Sequence, residues 1–123
     1  MIRMSTISTY VLDTSLGKPA AGVPVLLERI RDKGDDANDL RGITIGAGTT
    51  DQEGRLRDFV TAGAPLDAGT YRLRFDVSEY FVRTGRETFY PEIAVLFRVG
   101  TFHEHYHVPL LINPFGYATY RGT

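Results

Sequence analysis

The chain has no cysteine among its 123 residues, which excludes disulfides, a thiolate nucleophile and cysteine-based zinc sites. That composition fits a reducing compartment. It also lacks a surplus of charge. The formal net charge is −1, whereas a phosphate-binding surface needs a clear basic excess, so nucleic acid is not expected as a partner. No apolar run approaches the roughly 20 residues of a membrane-spanning helix, and no membrane partner is expected. The opening residues Met1 to Thr6 lack the apolar core of a secretory signal. The C-terminus is not a peroxisomal Ser-Lys-Leu. There is no internal repeat and no low-complexity stretch. These absences lead to the expectation of one cytoplasmic domain over residues 1–123, long enough to bury a core without staples.

What is present is β-patterned. Gly and Pro divide the chain at short intervals, and the segments between them are β-branched and aromatic, the pattern of an all-β sandwich or barrel. Ser5 to Thr14 reads as a first strand, followed by a turn through Gly17, Lys18 and Pro19. Val23 to Ile30 is a second, with Val23, Val25 and Leu27 on one face. Arg31 to Arg41 is too charged to bury and reads as an exposed, mobile loop. Ile43 to Thr50 is a third strand, ending in the Asp51 to Gly54 turn, where glycine suits a positive φ. In Tyr71 to Val77 the residues Tyr71, Leu73, Phe75 and Val77 point inward and Arg72, Arg74 and Asp76 outward. Asp76 and Glu79 then match a capping box, and Gly85 suits the C′ position. This predicts a single helix of about two turns. Ile93 to Val99, His105 to Ile112 and Tyr117 to Arg121 read as the remaining strands.

Chemistry-bearing residues crowd the last nineteen positions. His103, His105 and His107 stand two apart, so strand periodicity puts them on one face. Imidazoles so spaced can share a zinc ion, although a fourth ligand must come from elsewhere, since Glu104 points the opposite way. The bland alternative is a half-exposed strand rich in histidine. Acid–base catalysis is a third reading, because histidine titrates near neutrality. It needs a partner that fixes a carbonyl or oxyanion, and Arg55 and Arg121 are candidates as permanent, fork-shaped donors. Tyr117 and Tyr120 are more often packing groups with one satisfied hydroxyl.

The terminal run His105 to Thr123 resembles the signature of the transthyretin-like family, specifically its 5-hydroxyisourate hydrolases, with Asn113, Ala118 and Thr123 where that family usually has Ser. Three further motifs resemble it in order: Val11 to Leu27, the Thr50 to Arg55 turn, and Tyr80-Phe81, Gly85 and Phe89 to Ile93. The resemblance implies an eight-stranded two-sheet sandwich with one short helix near residues 77–84. It also implies a homotetramer, a dimer of dimers, with active sites in the channel between them. The implied activity is hydrolytic ring opening of 5-hydroxyisourate in urate breakdown, with no metal and no other cofactor. Carried over by position, His107 and Arg55 are the implied catalytic residues, and His105, Tyr120, Arg121 and Thr123 the implied substrate-binding ones. One position departs. The family reads His-Val-Leu-Asp where this chain reads Tyr10-Val11-Leu12-Asp13. A phenol with a pKa near 10 is a poor base at neutral pH, and general acid–base catalysis contributes on the order of 10²–10⁴ in rate. Tyr10 therefore implies altered, impaired or water-orienting chemistry at that position. The rival readings are a carrier of a small aromatic ligand in the channel, a structural sandwich module, and a histidine metal site.

Overall fold

Alternating apolar and polar residues put one face of each long strand inward and the other outward. The computed structural model describes residues 6–30, 42–57, 59, 66–101 and 104–122. In these, nine strands and one helix follow in the order β1 (Thr6–Asp13), β2 (Lys18–Pro19), β3 (Pro24–Ile30), β4 (Gly42–Thr49), β5 (Arg55–Arg57), β6 (Gly69–Phe75), α1 (Val77–Arg83), β7 (Ile93–Val99), β8 (His105–Asn113) and β9 (Gly116–Thr119). One sheet runs β2-β1-β8-β9, with β5 also paired to β1; the other runs β4-β3-β6-β7.

The core lies between the sheets. β1 contributes Ile7 and Val11, β8 contributes Val108, Leu110 and Ile112, and the opposing sheet contributes Val25, Leu27, Leu73, Phe75 and Ile93, all buried. Each such side chain is worth about 1.5–3 kcal/mol when fully withdrawn from water. On the outer face of the second sheet, Glu28 sits between Arg72 (2.8 Å) and Arg74 (3.5 Å), and Arg74 also pairs with Glu92. The inward and outward sets expected for residues 71–77 are therefore observed.

The all-β two-sheet expectation holds, with nine strands in place of eight. Lys18–Pro19 is expected as a turn, yet Pro19 pairs with Leu12 and Lys18 with Asp13. Arg55–Arg57 carries no readable pattern of its own and forms because β1 offers it an open edge. The strand read as Tyr71 to Val77 stops at Phe75, and Val77 instead opens the helix as a buried residue. The Asp76 side chain accepts from the Glu79 N–H as anticipated. The reciprocal half of the capping box is absent, because the Asp76 N–H goes to the Pro24 carbonyl and Glu79 turns to Arg83. Gly85 has φ +73°, as a helix-ending residue requires. Ser5 and the Arg31 to Arg41 segment lie outside the described residues.

The helix is anchored to β1 by charge. Asp13 is fully buried and accepts from Arg86 (2.6 Å), Tyr80 (2.8 Å) and Ser15 (2.5 Å). Burial alone would raise its pKa, but these bonds outweigh it and hold the carboxyl at about 2. No helix among the described residues is long and apolar enough to cross a membrane.

Candidate active site

Strand parity decides which side chains meet outside the first sheet. β1 buries Ile7, Thr9, Val11 and Asp13, which leaves Thr6, Ser8 and Tyr10 on the outer face. β8 buries Tyr106, Val108, Leu110 and Ile112, which leaves His105 and His107 on that same face. The two strands run parallel, with Thr6 opposite His105, Ser8 opposite His107 and Tyr10 opposite Pro109. On the other edge of β1, β5 places Arg57 opposite Ser8 and Arg55 opposite Tyr10. The result is a groove of about 550 Å³ walled by Ser8, Tyr10, Arg55, Arg57, His105 and His107, within the size range of small-molecule sites.

Ser8 is central to this groove. Its hydroxyl lies 2.8 Å from His105 Nε2 and 2.8 Å from His107 Nδ1, and Thr6 Oγ1 lies 2.5 Å from His105 Nδ1. The two imidazoles cover Ser8 so well that it is only 7% exposed despite its outward position. His107 Nε2 has no hydrogen-bond partner among the described residues. Burial, the neighbouring His105 and the Arg55 charge push the His107 pKa below its usual value, while a hydrogen bond to the Ser8 backbone acts in the opposite direction. The net shift favours the uncharged imidazole.

Arg55 is delivered by its turn. Asp51 Oδ1 accepts from the Glu53 N–H (2.9 Å) and the Arg55 N–H (3.0 Å). These bonds, that to Arg55 foremost, lower the Asp51 pKa. Gly54, at φ +75°, brings its carbonyl to the Val11 N–H at 2.8 Å. A Cβ there would stand 2.5 Å from the Val11 carbonyl oxygen, so glycine is required both for the φ and for the approach of β5 to β1. Among the described residues, the Arg55 guanidinium has one ion-pair contact, a long 3.8 Å to Glu53.

Four of the expected site residues therefore share one groove: Tyr10, Arg55, His105 and His107. Tyr120 and Arg121 line an adjoining cleft of about 310 Å³ between β7 and β8, to which His107 also contributes. There Arg121 lies over the Tyr106 ring at 4.9 Å and pairs with Glu104 at 3.1 Å. The terminus touches the groove through Gly122, whose N–H donates to the His107 carbonyl at 2.8 Å. A Cβ on Gly122 would meet His107 Cδ2 at 2.6 Å. His103 and Thr123 lie outside the described residues. Among the described residues, no group of three or more His, Asp or Glu is placed to hold a metal ion. Sequence reasoning missed Ser8, Thr6, Arg57 and Gly122. The parity of β1 could have found the first two, but only after its pairing with β8 was known.

A two-sheet sandwich with this strand order, one helix between β6 and β7, and a polar groove outside one sheet is of the transthyretin type. The chain belongs to the HIUase/Transthyretin family, whose model matches residues 7–122. It is 42% identical over 119 residues to the 5-hydroxyisourate hydrolase of Salmonella dublin, covering 95% of this chain and 80% of that protein. The structure of Klebsiella pneumoniae 5-hydroxyisourate hydrolase is similar at a TM-score of 0.78 and 38% identity, covering 98% of this chain and 100% of the other. Sea bream transthyretin in complex with thyroxine superposes at a TM-score of 0.81 with 27% identity, covering 95% and 94%.

Proposed function

We propose that this chain hydrolyses 5-hydroxyisourate, opening its ring in urate breakdown. The observation that carries this reading is the convergence of a half-buried His107, whose pKa burial lowers, and a loosely tethered Arg55 on one groove. The relatives named as 5-hydroxyisourate hydrolases support the choice of substrate.

In this reading His107 Nε2 takes a proton from water as the oxygen attacks a ring carbonyl. Arg55 donates to the oxygen that becomes negative in the tetrahedral intermediate; losing one such donor costs roughly 10²–10³ in rate. As the intermediate collapses, the ring C–N bond breaks and the leaving nitrogen takes the proton from His107. Tyr10, opposite Arg55 across the β1–β5 pair, orients the water by its hydroxyl. His105 contributes to substrate binding at the groove wall. Tyr120 and Arg121 line the adjoining cleft on the other side of His107, at the terminus that the Gly122 bond ties to His107, and they and Thr123 are substrate-binding residues that the family resemblance implies. A cyclic acyl-urea is already activated, so the reaction requires no metal or other cofactor. The working form is a cytoplasmic homotetramer, a dimer of dimers, built from a single domain per chain. Loss of 5-hydroxyisourate faster than its spontaneous decay at matched pH, abolished in His107→Asn, tests the proposal. A rate equal to buffer would overturn it.

A further inference from the structure

Ser8 occupies an unusual place: one hydroxyl within hydrogen-bond reach of two imidazoles. A serine hydroxyl has one proton to give and lone pairs to receive. When it donates to one ring and accepts from the other, the tautomer of one histidine sets that of its neighbour. For His107 to act as a base, its free Nε2 must be bare, so its proton sits on Nδ1 and is donated to Ser8 Oγ. Ser8 then donates to His105 Nε2, and His105 Nδ1 donates to Thr6 Oγ1.

We propose that Ser8 and His105 form a proton relay behind His107, supplying the second histidine that Tyr10 removes from the groove. This deepens the hydrolase reading and depends on it for its kinetic part. When His107 Nε2 takes the proton of the attacking water, the Nδ1 proton passes to Ser8 Oγ and the Ser8 proton to His105 Nε2. Three protons each move by one bond, no electrons are exchanged, and the positive charge ends on His105. The charge thereby moves outward, since His105 is exposed and His107 half-buried. The relay runs backward when the leaving nitrogen takes its proton from His107.

On the side of the adjoining cleft, His107 faces Tyr120 and Arg121, and Arg121 is paired with Glu104. β1 presents Thr6, Ser8 and Tyr10, and β5 presents Arg55 and Arg57. The residue after the Tyr120-Arg121 pair presents the Gly122 backbone. No carboxylate lines the groove among the described residues, so Ser8 is the group that orients His107 there. Ser8 and His105 are positioning residues in this scheme, acting through the catalytic ring.

The test pairs a kinetic with a spectroscopic readout. Ser8→Ala is expected to lower kcat by about 10–100-fold, within the range of general-base effects, with KM little changed; Ser8→Thr, which restores a hydroxyl, recovers most of it. Nitrogen-15 NMR of the ligand-free protein is expected to show His107 protonated on Nδ1 in the unaltered chain and a mixed tautomer in Ser8→Ala. The NMR result requires no turnover, so failure of the hydrolase reading and failure of the relay are distinguishable. A His107 protonated on Nε2 in the unaltered protein overturns the relay, as does an active Ser8→Ala enzyme with unaltered kcat.

Discussion

Replacing Asp13 by asparagine removes the buried charge that ties α1 and Arg86 to β1. Asp13 is fully buried, and its carboxyl falls from an ordinary 3.8 to about 2 in the folded chain. That is a little under two pH units, which at about 1.4 kcal/mol per unit amounts to roughly 2.5 kcal/mol of pH-linked stability. Because the folded pKa is depressed, this stability is fully present above about pH 4 and is lost as pH falls toward 2. The asparagine keeps an acceptor but leaves the Arg86 charge without its counter-ion in a half-buried setting, so the expected loss at pH 7 is about 2–4 kcal/mol. Urea unfolding at fixed protein concentration measures it, since coupled subunit association shifts apparent stability. The gap between parent and variant should narrow steadily from pH 4 to pH 2. A gap under about 0.5 kcal/mol at pH 7, or one that does not change with pH, would refute the reasoning; a loss that small is typical of surface substitutions.

Other expectations follow from single contacts. Gly54→Ala puts a Cβ 2.5 Å from the Val11 carbonyl; it should detach β5, cost about 1–3 kcal/mol, and raise KM as Arg55 loses its place, read by calorimetry and kinetics. Gly122→Ala pushes against the His107 ring at 2.6 Å and should lower kcat more than it lowers stability, a split that a thermal melt alongside a turnover assay reveals. Asp76→Ala removes the side-chain cap on the Glu79 N–H and should cost about 1 kcal/mol without changing turnover. Since His105 and Arg55 both lower the His107 pKa, Arg55→Gln should move the His107 titration upward in proton NMR; a downward move would contradict the electrostatic account.

Much of the fold was legible because period-two alternation survives wherever a strand has one wet face. Tyr71, Leu73 and Phe75 declare β6, and the same parity places His105 and His107 together. The Asp76 cap and Gly85 bracket α1 for equally local reasons. β2 and β5 were not legible: two or three residues carry no period, and both exist only because the β1 edge offers hydrogen bonds to them. The role of Ser8 was hidden for a related reason. Its partners lie 97 and 99 residues away, across a parallel pairing that no local pattern specifies. Tyr120 and Arg121 share the terminal motif with His107, yet Arg121 lies over the Tyr106 ring, in the cleft beside the groove.

The central claim is that this groove works as a hydrolase centre with Tyr10 in place of the family's first-strand histidine. A side-by-side assay of 5-hydroxyisourate decay with the unaltered chain and with Tyr10→His tests it most directly. The account expects the unaltered chain to exceed the spontaneous rate clearly and Tyr10→His to alter kcat by no more than about tenfold, because the Ser8–His105 relay already serves as the second histidine. A chain at the spontaneous rate that only Tyr10→His awakens, or silence in both, would contradict it.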